Sequence, residues 1–228
     1  MVQITFMLIR RSIMAIISAS ILAANLSELK EEVRRVEGFI DEIHLDVMDG
    51  HFVPNLTFGY PILEALRVFT NMPVDAHLMV TNPTELIKGF VEKGATRITI
   101  HQEVCYHLHR NVEYIKSFGA EAFVAINPAT SLNTLDEILP YVDGILIMTV
   151  NPGFSGQKFI PTMSEKIKKL SDIRTSRNLD FKIAVDGGVG NENAVELVKM
   201  GVDVLVMGYG VFRNPNLPNL RSEIKSLL

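Results

Sequence analysis

The chain has 228 residues, of which 47% are hydrophobic and 21% charged, and a formal net charge of −4. This length and apolar content suit one globular domain with a sizeable core. The acidic balance without a long Lys/Arg stripe argues against nucleic acid as a partner, and the single cysteine excludes an intramolecular disulfide and fits a reducing compartment.

The first apolar segment admits two interpretations. Arg10 and Arg11 precede an apolar run over 13–24, which imitates a secretory signal. Alternatively, residues 15–22 form the first core strand, which we favour because the rest of the fold requires it. Residues 1–13 are then an extension, disordered or upstream of a natural start at Met14, and residues 14–228 form the domain. No apolar run reaches the ~18 residues of a membrane span.

Short apolar strands alternate with amphipathic helical segments along the chain, without a linker between them. The predicted strands are 16–22, 42–48, 74–79, 97–101, 122–127, 144–150, 182–186 and 202–207. The predicted helices are 26–36, 60–69, 83–92, 108–118, 132–139, 162–177, 192–200 and 217–227. Eight such units in this length predict a single-domain α/β fold, the (β/α)8 TIM barrel. A doubly wound sheet is the alternative, but no Gly-x-Gly-x-x-Gly follows the first strand.

Ionisable residues interrupt three of the apolar strands. Side chains two apart on a strand share a face, so His44, Asp46 and Met48 point into one space. The third strand repeats the pattern with His77, and the seventh ends in Asp186. A lone strand histidine is more often a hydrogen-bonded core residue, but recurrence on three strands favours a site. Because buried ionisable groups need partners or a metal, these residues predict a mixed nitrogen–oxygen metal site.

Three loops after neighbouring strands are rich in glycine. They are 151–157, Gly187-Gly188 and Gly208-Tyr209-Gly210. Glycine lets backbone N–H groups approach an anion, and phosphate sites in barrels favour the loops after strands seven and eight. Each loop alone is weak evidence, but together they predict a phosphate-binding cup.

Four longer motifs resemble the ribulose-phosphate 3-epimerase family. They are IHLDVMDGHFVPN (43–55), HLM (77–79), NPGFSGQKFIP (151–161) and VDGG (185–188), and the resemblance extends from about 18 to 212. It implies an isomerase of the pentose phosphate pathway that interconverts D-ribulose 5-phosphate and D-xylulose 5-phosphate. It also implies one divalent metal ion, Zn²⁺ or Fe²⁺ before Mn²⁺ or Co²⁺, and a cytoplasmic homo-oligomer, a dimer or hexamer.

The resemblance also implies roles for individual residues. The metal ligands would be His44, Asp46, His77 and Asp186, and Asp46 and Asp186 would also be the catalytic acid–base pair. The implied substrate contacts are Ser20, Met48, His77, Met79, Met148, Gly153, Phe154, Ser155, Gly156, Gly187, Gly188, Gly208 and Tyr209. Inverting a carbon next to a ketone requires removing a proton from one face and returning one to the other, which two carboxylates can do.

Three positions depart from the family pattern, one just after the first strand, one in the loop after the sixth and one in the predicted cup. Ala23, Ser155 and Tyr209 stand where the family usually has serine, glycine and serine. The alternatives in function are therefore an allulose-6-phosphate 3-epimerase and a non-catalytic sugar-phosphate-binding barrel. Decarboxylation or aldol cleavage in related barrels uses Asp-x-Lys-x-x-Asp, whereas Met48 stands at the lysine position here.

Overall fold

A computed structural model describes residues 15–227 as a closed barrel of parallel strands. Each strand pairs with the next along the chain, and the last pairs with the first. The strands are β1 (Ile16–Ser20), β2 (Glu42–Met48), β3 (Val74–Met79), β4 (Arg97–His101), β5 (Glu121–Ile126), β6 (Gly144–Met148), β7 (Lys182–Asp186) and β8 (Val204–Met207). The predicted (β/α)8 TIM barrel is confirmed. The predicted extension, residues 1–13, lies outside the described part of the chain.

Helices surround the barrel. They are α1 (Leu29–Val36), α2 (Tyr60–Phe69), α3 (Thr84–Glu92), α4 (Leu108–Ser117), α5 (Met163–Ser176), α6 (Ala194–Lys199), α7 (Tyr209–Phe212) and α8 (Leu217–Ser226). Within residues 15–227, no helix combines the length and apolar character needed to cross a membrane.

The connection between β5 and β6 differs from the helix predicted over 132–139. Only Leu132–Leu135 is regular, and it is a 3₁₀ turn that begins where the Ser131 side chain accepts a hydrogen bond from the Asn133 N–H. Asn133 and Thr134 are weak helix formers, and Pro140 disfavours helical geometry in the residue before it. Apolar spacing alone therefore overestimated the helix.

The ends of four strands also differ from the prediction, and β5 begins and ends one residue earlier than predicted. β1, β6 and β8 are shorter than the apolar runs that indicated them. After β1 the chain turns into a 3₁₀ segment, Ile21–Ala23, and Val150 beyond β6 lies in a loop although it is buried. An apolar run predicts burial, and the chain can stay buried after the strand ladder ends.

The interior of the barrel is divided into an apolar half and a polar half. Side chains from β5 to β8, including Phe123, Leu146 and Val206, pack together in one apolar cluster. The other half, on β1 to β4, is lined by buried polar residues. These are Ser18, Ser20, Glu42, His44, Asp46, Asp75, His77, Arg97, Thr99 and His101. Because buried polar groups cost free energy unless they are paired, this half is where a functional site is expected.

Candidate active site and metal centre

Strand pairing and the closure of the barrel bring the four predicted metal ligands together in the barrel interior. On β2, the fully buried Ile43 and Leu45 pack into the main hydrophobic core, while the alternate residues His44 and Asp46 point inward. In the ladder between β2 and β3, Asp46 is the direct partner of His77. Asp186 ends β7, which pairs with β6 and β8, so the closure of the barrel brings this residue to the same interior.

The four side chains form a compact tetrad, a name used below for His44, Asp46, His77 and Asp186. His44 Nε2 lies 3.4 Å from Asp46 Oδ1 and 3.8 Å from Asp186 Oδ2. His77 Nδ1 lies 3.7 Å and 3.6 Å from the same two oxygens, and the two ring nitrogens are 3.2 Å apart. The sequence prediction that these residues share one space therefore agrees with the geometry.

The electrostatics of the tetrad favour positive charge at its centre. Burial would lower the pKa of His44, but the Asp46 and Asp75 carboxylates outweigh burial and raise that pKa well above its ordinary value. Burial likewise lowers the pKa of His77, and hydrogen bonding to Asp186 and Asp46 raises it overall. Burial raises the pKa of Asp46, but His44 and His77 outweigh that effect and lower it.

The donor set fits a divalent metal ion. Two imidazole nitrogens and two carboxylate oxygens all lie within 4.8 Å of one another, so the tetrad could hold such an ion. Zinc–ligand distances of about 2.0–2.2 Å put tetrahedral donors roughly 3.3–3.6 Å apart, close to the observed separations. This mixed nitrogen–oxygen set suits borderline metals such as zinc or iron better than calcium, which prefers oxygen alone.

A pocket of about 660 Å³ opens above the tetrad. Asp46 and Asp186 line it, whereas His44 and His77 are fully buried behind them. Every predicted substrate contact lines this pocket except His77. Ser20 also fixes one carboxylate, because its hydroxyl donates a 2.6 Å hydrogen bond to Asp46 Oδ2.

The three methionines among the implied substrate contacts lie around the tetrad. Met48 and Met79 are direct partners in the β2–β3 ladder, and Met148 is the partner of Asp186 on β6. All three are at most 4% exposed and line the pocket. Their thioethers form a water-poor wall without an acidic proton.

The glycine-rich loops form another part of the pocket wall. Gly153, Gly187 and Gly188 have φ values of 124°, 117° and 65°, which side chains rarely adopt. A Cβ atom on Gly188 would also lie 2.2 Å from the backbone nitrogen of Phe159. The loop after β7 therefore approaches the backbone at Phe159, just beyond the 151–157 loop, more closely than any other residue type would allow.

The three departures from the family pattern meet in this same region. A Cβ on Gly208 would lie 3.0 Å from the Ala23 Cβ and 3.5 Å from the Ser155 hydroxyl. Tyr209 packs on Gly156, where an added Cβ would lie 2.8 Å from its ring. Ser155 thus brings a hydroxyl to the wall around Gly208.

Two buried partners of the tetrad histidines were not predicted from the sequence. His44 Nδ1 lies 3.1 Å from Asp75 Oδ2, and His77 Nε2 lies 2.9 Å from His101 Nε2. Asp75 could have been predicted from the sequence, because it is two residues before His77 on β3 and therefore lies on the same face of the strand. His101 comes from another strand, and its contact depends on the stagger of β3 and β4.

Comparisons with known proteins agree with these observations. The model of the ribulose-phosphate 3-epimerase family matches residues 16–212. Curated proteins called ribulose-phosphate 3-epimerase are 44% identical in Aquifex aeolicus, where the match covers 94% of this chain and 97% of the relative, and 42% identical in Bacillus subtilis, where it covers 92% and 97%.

Similar solved structures include the tryptophan synthase alpha-subunit of Pyrococcus furiosus. One of these has a TM-score of 0.64 at 14% identity, over 93% of this chain and 97% of that structure. At this identity, the likeness concerns the fold alone. The sequence relatives carry the assignment, and the chain belongs to the ribulose-phosphate 3-epimerase family.

Proposed function

We propose that this protein epimerises C3 of D-ribulose 5-phosphate to give D-xylulose 5-phosphate. The observation that carries the proposal is the tetrad at the floor of the pocket, with two of its carboxylates open to a ligand, in a chain of this family. A sugar-phosphate-binding barrel without catalysis would have no need to bury such a set of charges, which is costly unless the charges are used or neutralised.

Asp46 and Asp186 would exchange the proton at C3. In each direction one carboxylate removes the proton from one face of the substrate, while the other, protonated, returns a proton to the opposite face. The Ser20 hydroxyl, bonded to Asp46 Oδ2, holds that carboxylate in place and is itself open to the pocket. The buried methionines keep competing proton donors away from the reacting carbons.

The four tetrad residues would hold a divalent metal, with Zn²⁺ or Fe²⁺ as the first candidates and Mn²⁺ or Co²⁺ as substitutes. When bound, the metal would polarise the substrate ketone and stabilise the negative charge that develops as the proton leaves. His44 and His77 serve only this role, because they are fully buried and do not line the pocket.

The glycine-rich side of the pocket would bind the phosphate. Gly153, Gly156, Gly187, Gly188 and Gly208 leave backbone unobstructed at the pocket wall. The Ser155 hydroxyl beside Gly208 offers a side-chain donor there, so the loss of the usual serine at Tyr209 does not remove every hydroxyl from this region.

The experiment is a coupled assay with metal-stripped protein reloaded separately with Zn²⁺, Fe²⁺, Mn²⁺ and Co²⁺. We expect turnover of D-ribulose 5-phosphate well above that of D-allulose 6-phosphate, and metal content near one ion per chain by elemental analysis. His77→Ala should lose metal and activity together.

Two results would count against the proposal. Faster turnover of the hexose phosphate would reassign the substrate, and no turnover of either sugar by fully metal-loaded protein would exclude the epimerase. Full metal occupancy in both His44→Ala and His77→Ala would place the metal elsewhere.

A further inference from the structure

Two buried imidazoles on neighbouring strands share one hydrogen bond. His77 on β3 and His101 on β4 are both 0% exposed, and their rings stack with centroids 5.0 Å apart. His77 Nε2 lies 2.9 Å from His101 Nε2. Because an N–H must face a lone pair, one of the two nitrogens carries a proton and the other does not.

The Glu103 carboxylate determines which of these two nitrogens carries the proton. Its Oε2 lies 3.2 Å from His101 Nδ1. Its Oε1 accepts a 2.7 Å hydrogen bond from the Asn127 N–H and another from the Thr130 hydroxyl. Both oxygens therefore act as acceptors, so the proton of His101 belongs on Nδ1.

The proton on His101 Nδ1 determines which nitrogen of His77 is protonated. With the proton on Nδ1, neutral His101 offers the lone pair of Nε2, and His77 must donate from its own Nε2. In neutral His77, the form that can bind a metal, the lone pair is then on Nδ1. This atom lies 3.2 Å from His44 Nε2 and 3.7 Å and 3.6 Å from the Asp46 and Asp186 oxygens.

We propose that Glu103 and His101 are positioning residues that fix His77 in the tautomer with a free Nδ1 lone pair directed into the tetrad. The inference rests on the proposed metal centre. A histidine ligand generally donates its other N–H to a fixed acceptor, which orients the ring and selects the ligating nitrogen. Here that acceptor is a second histidine, itself fixed by a carboxylate.

His44 is held in the opposite tautomer, with its proton on Nδ1. Its Nδ1 faces the Asp75 carboxylate at 3.1 Å, and Asp75 also accepts a 2.9 Å hydrogen bond from the Thr99 hydroxyl. His44 therefore presents Nε2 to the tetrad, whereas His77 presents Nδ1. The two proposed ligands lie on adjacent strands and present different ring nitrogens to the tetrad. Asp75 orients His44 directly, and Glu103 orients His77 through His101.

His101 is not a further ligand. Both of its nitrogens are already used, by His77 and by Glu103, and its ring is covered by Phe52 at a centroid distance of 4.7 Å. It does not line the pocket. Its contribution is transmitted through His77.

Glu103→Gln is the informative variant because it changes the direction of the hydrogen bonds with little change in volume. The Asn127 N–H and the Thr130 hydroxyl both require the single amide oxygen, so the amide NH₂ would face His101 Nδ1. His101 would then donate from Nε2, and the proton of His77 would move to Nδ1, where it blocks ligation.

The readout is metal affinity, measured by competition between the protein and a chelator for Zn²⁺ and Co²⁺. We expect Glu103→Gln to weaken binding by roughly 10–100-fold, the usual effect of losing the partner of a ligating histidine. Thr130→Val is the matched control, since it removes a hydrogen bond to the same carboxylate and leaves the acceptor that faces His101. It should keep the wild-type affinity.

Nitrogen NMR of ¹⁵N-histidine-labelled, zinc-loaded wild-type protein tests the tautomers directly. We expect the N–H on Nε2 of His77, on Nδ1 of His101 and on Nδ1 of His44. An N–H on Nδ1 of His77, unchanged metal affinity in Glu103→Gln, or an equal loss in Thr130→Val would each overturn this inference. A wild-type protein that binds no divalent metal would instead overturn the proposed metal centre itself.

Discussion

Asp186 is the most accessible member of the tetrad. Its side chain is 16% exposed, compared with 6% for Asp46 and 0% for both histidines. It also ends β7 directly before Gly187 and Gly188, so it joins the tetrad to the glycine-rich loops of the pocket. This position suits a carboxylate that must reach a substrate carbon.

Asp186→Asn should separate the two halves of the proton transfer. Asparagine keeps an oxygen near the tetrad but cannot act as an acid or base, and general acid–base catalysis contributes typically ~10²–10⁴-fold to a rate. We expect a loss of epimerisation of that order. The remaining Asp46 could still exchange the C3 hydrogen of one epimer with solvent, which NMR in D₂O would detect.

Glu196→Gln, on the exposed side of α6, is the control for this change, since the Glu196 side chain forms a surface ion pair with Lys199 and does not line the pocket. Wild-type epimerisation by Asp186→Asn would contradict the two-carboxylate mechanism. Exchange of both epimers at equal rates would mean that a single group serves both faces.

The loop after β2 depends on one carboxylate. Asp49 accepts hydrogen bonds from the His51 and Phe52 N–H groups and from both the N–H and the hydroxyl of Thr81, which follows β3. Slight burial raises its pKa, but these hydrogen bonds outweigh burial and lower the pKa well below its ordinary value. The ionised group therefore joins the loops that follow β2 and β3.

Asp49→Asn should lower the free energy of unfolding in a pH-dependent way. Because the folded pKa is depressed, the carboxylate stabilises the folded state fully above the unfolded pKa of about 3.9, and that contribution is lost progressively as the pH falls from there through the lower folded pKa. We expect a deficit of about 1 kcal/mol at neutral pH, somewhat below the usual contribution of charged hydrogen bonds because the site is partly open to solvent. Denaturant titrations between pH 7 and pH 3 should show the deficit shrink, and a constant deficit would contradict this account.

The described chain is joined to the rest of the barrel from its first residues. The Ile16 N–H donates to the Asp203 carbonyl, and the Arg221 side chain donates to the Ala15 carbonyl, so contacts with the rest of the fold are in place from Ala15 onward. We propose that residues 1–13 are dispensable and that their removal leaves melting temperature and activity unchanged.

A deletion of residues 1–20 is the comparison for this truncation, because it removes β1 together with Ser20. It should not fold. Loss of activity in the shorter deletion, or a mature protein that starts after Ala24, would disprove the proposed boundary.

At the level of elements, strands were more predictable than helices. β2, β3, β4 and β7 have the bounds that the apolar runs indicated. Only the first half of the 132–139 segment is helical, as a 3₁₀ turn. The short helix α7 was not predicted, because four residues after Gly208 are too few to show a helical period. The tetrad was predictable from alternation on single strands, whereas the contact of His77 with His101 was not, because it depends on how two strands are staggered.

For the whole molecule, the polar half of the barrel depends on a buried arginine. Arg97, at the start of β4, is 4% exposed and donates to Glu42 Oε1 at 2.5 Å and to Glu121 Oε2 at 2.8 Å and 2.9 Å. Asp75, the partner of His44, lies 4.0 Å from the same guanidinium. The charges beneath the tetrad therefore form one connected network.

Arg97→Met should destabilise the protein by about 3–5 kcal/mol, because it leaves the Glu42 charge buried and unpaired. Lys182→Met is the control, since Lys182 makes a more exposed ion pair with Glu121 and such pairs contribute about 0–1 kcal/mol. Adding Glu42→Gln to Arg97→Met should recover part of the loss. Chemical denaturation measures all three effects, and equal losses in the two single variants would show that burial of the network is unimportant.

The pairing of β1 with β8 also has a consequence for synthesis on the ribosome. β1 is translated first, but its second neighbour ends at Met207. At roughly 5–20 residues per second, β1 waits on the order of 10–40 seconds for that neighbour. Throughout that interval the nascent sheet has open edges whose N–H and C=O groups can pair with other chains. A messenger truncated before the codons for β8 would therefore yield a polypeptide prone to aggregation, and not a smaller barrel.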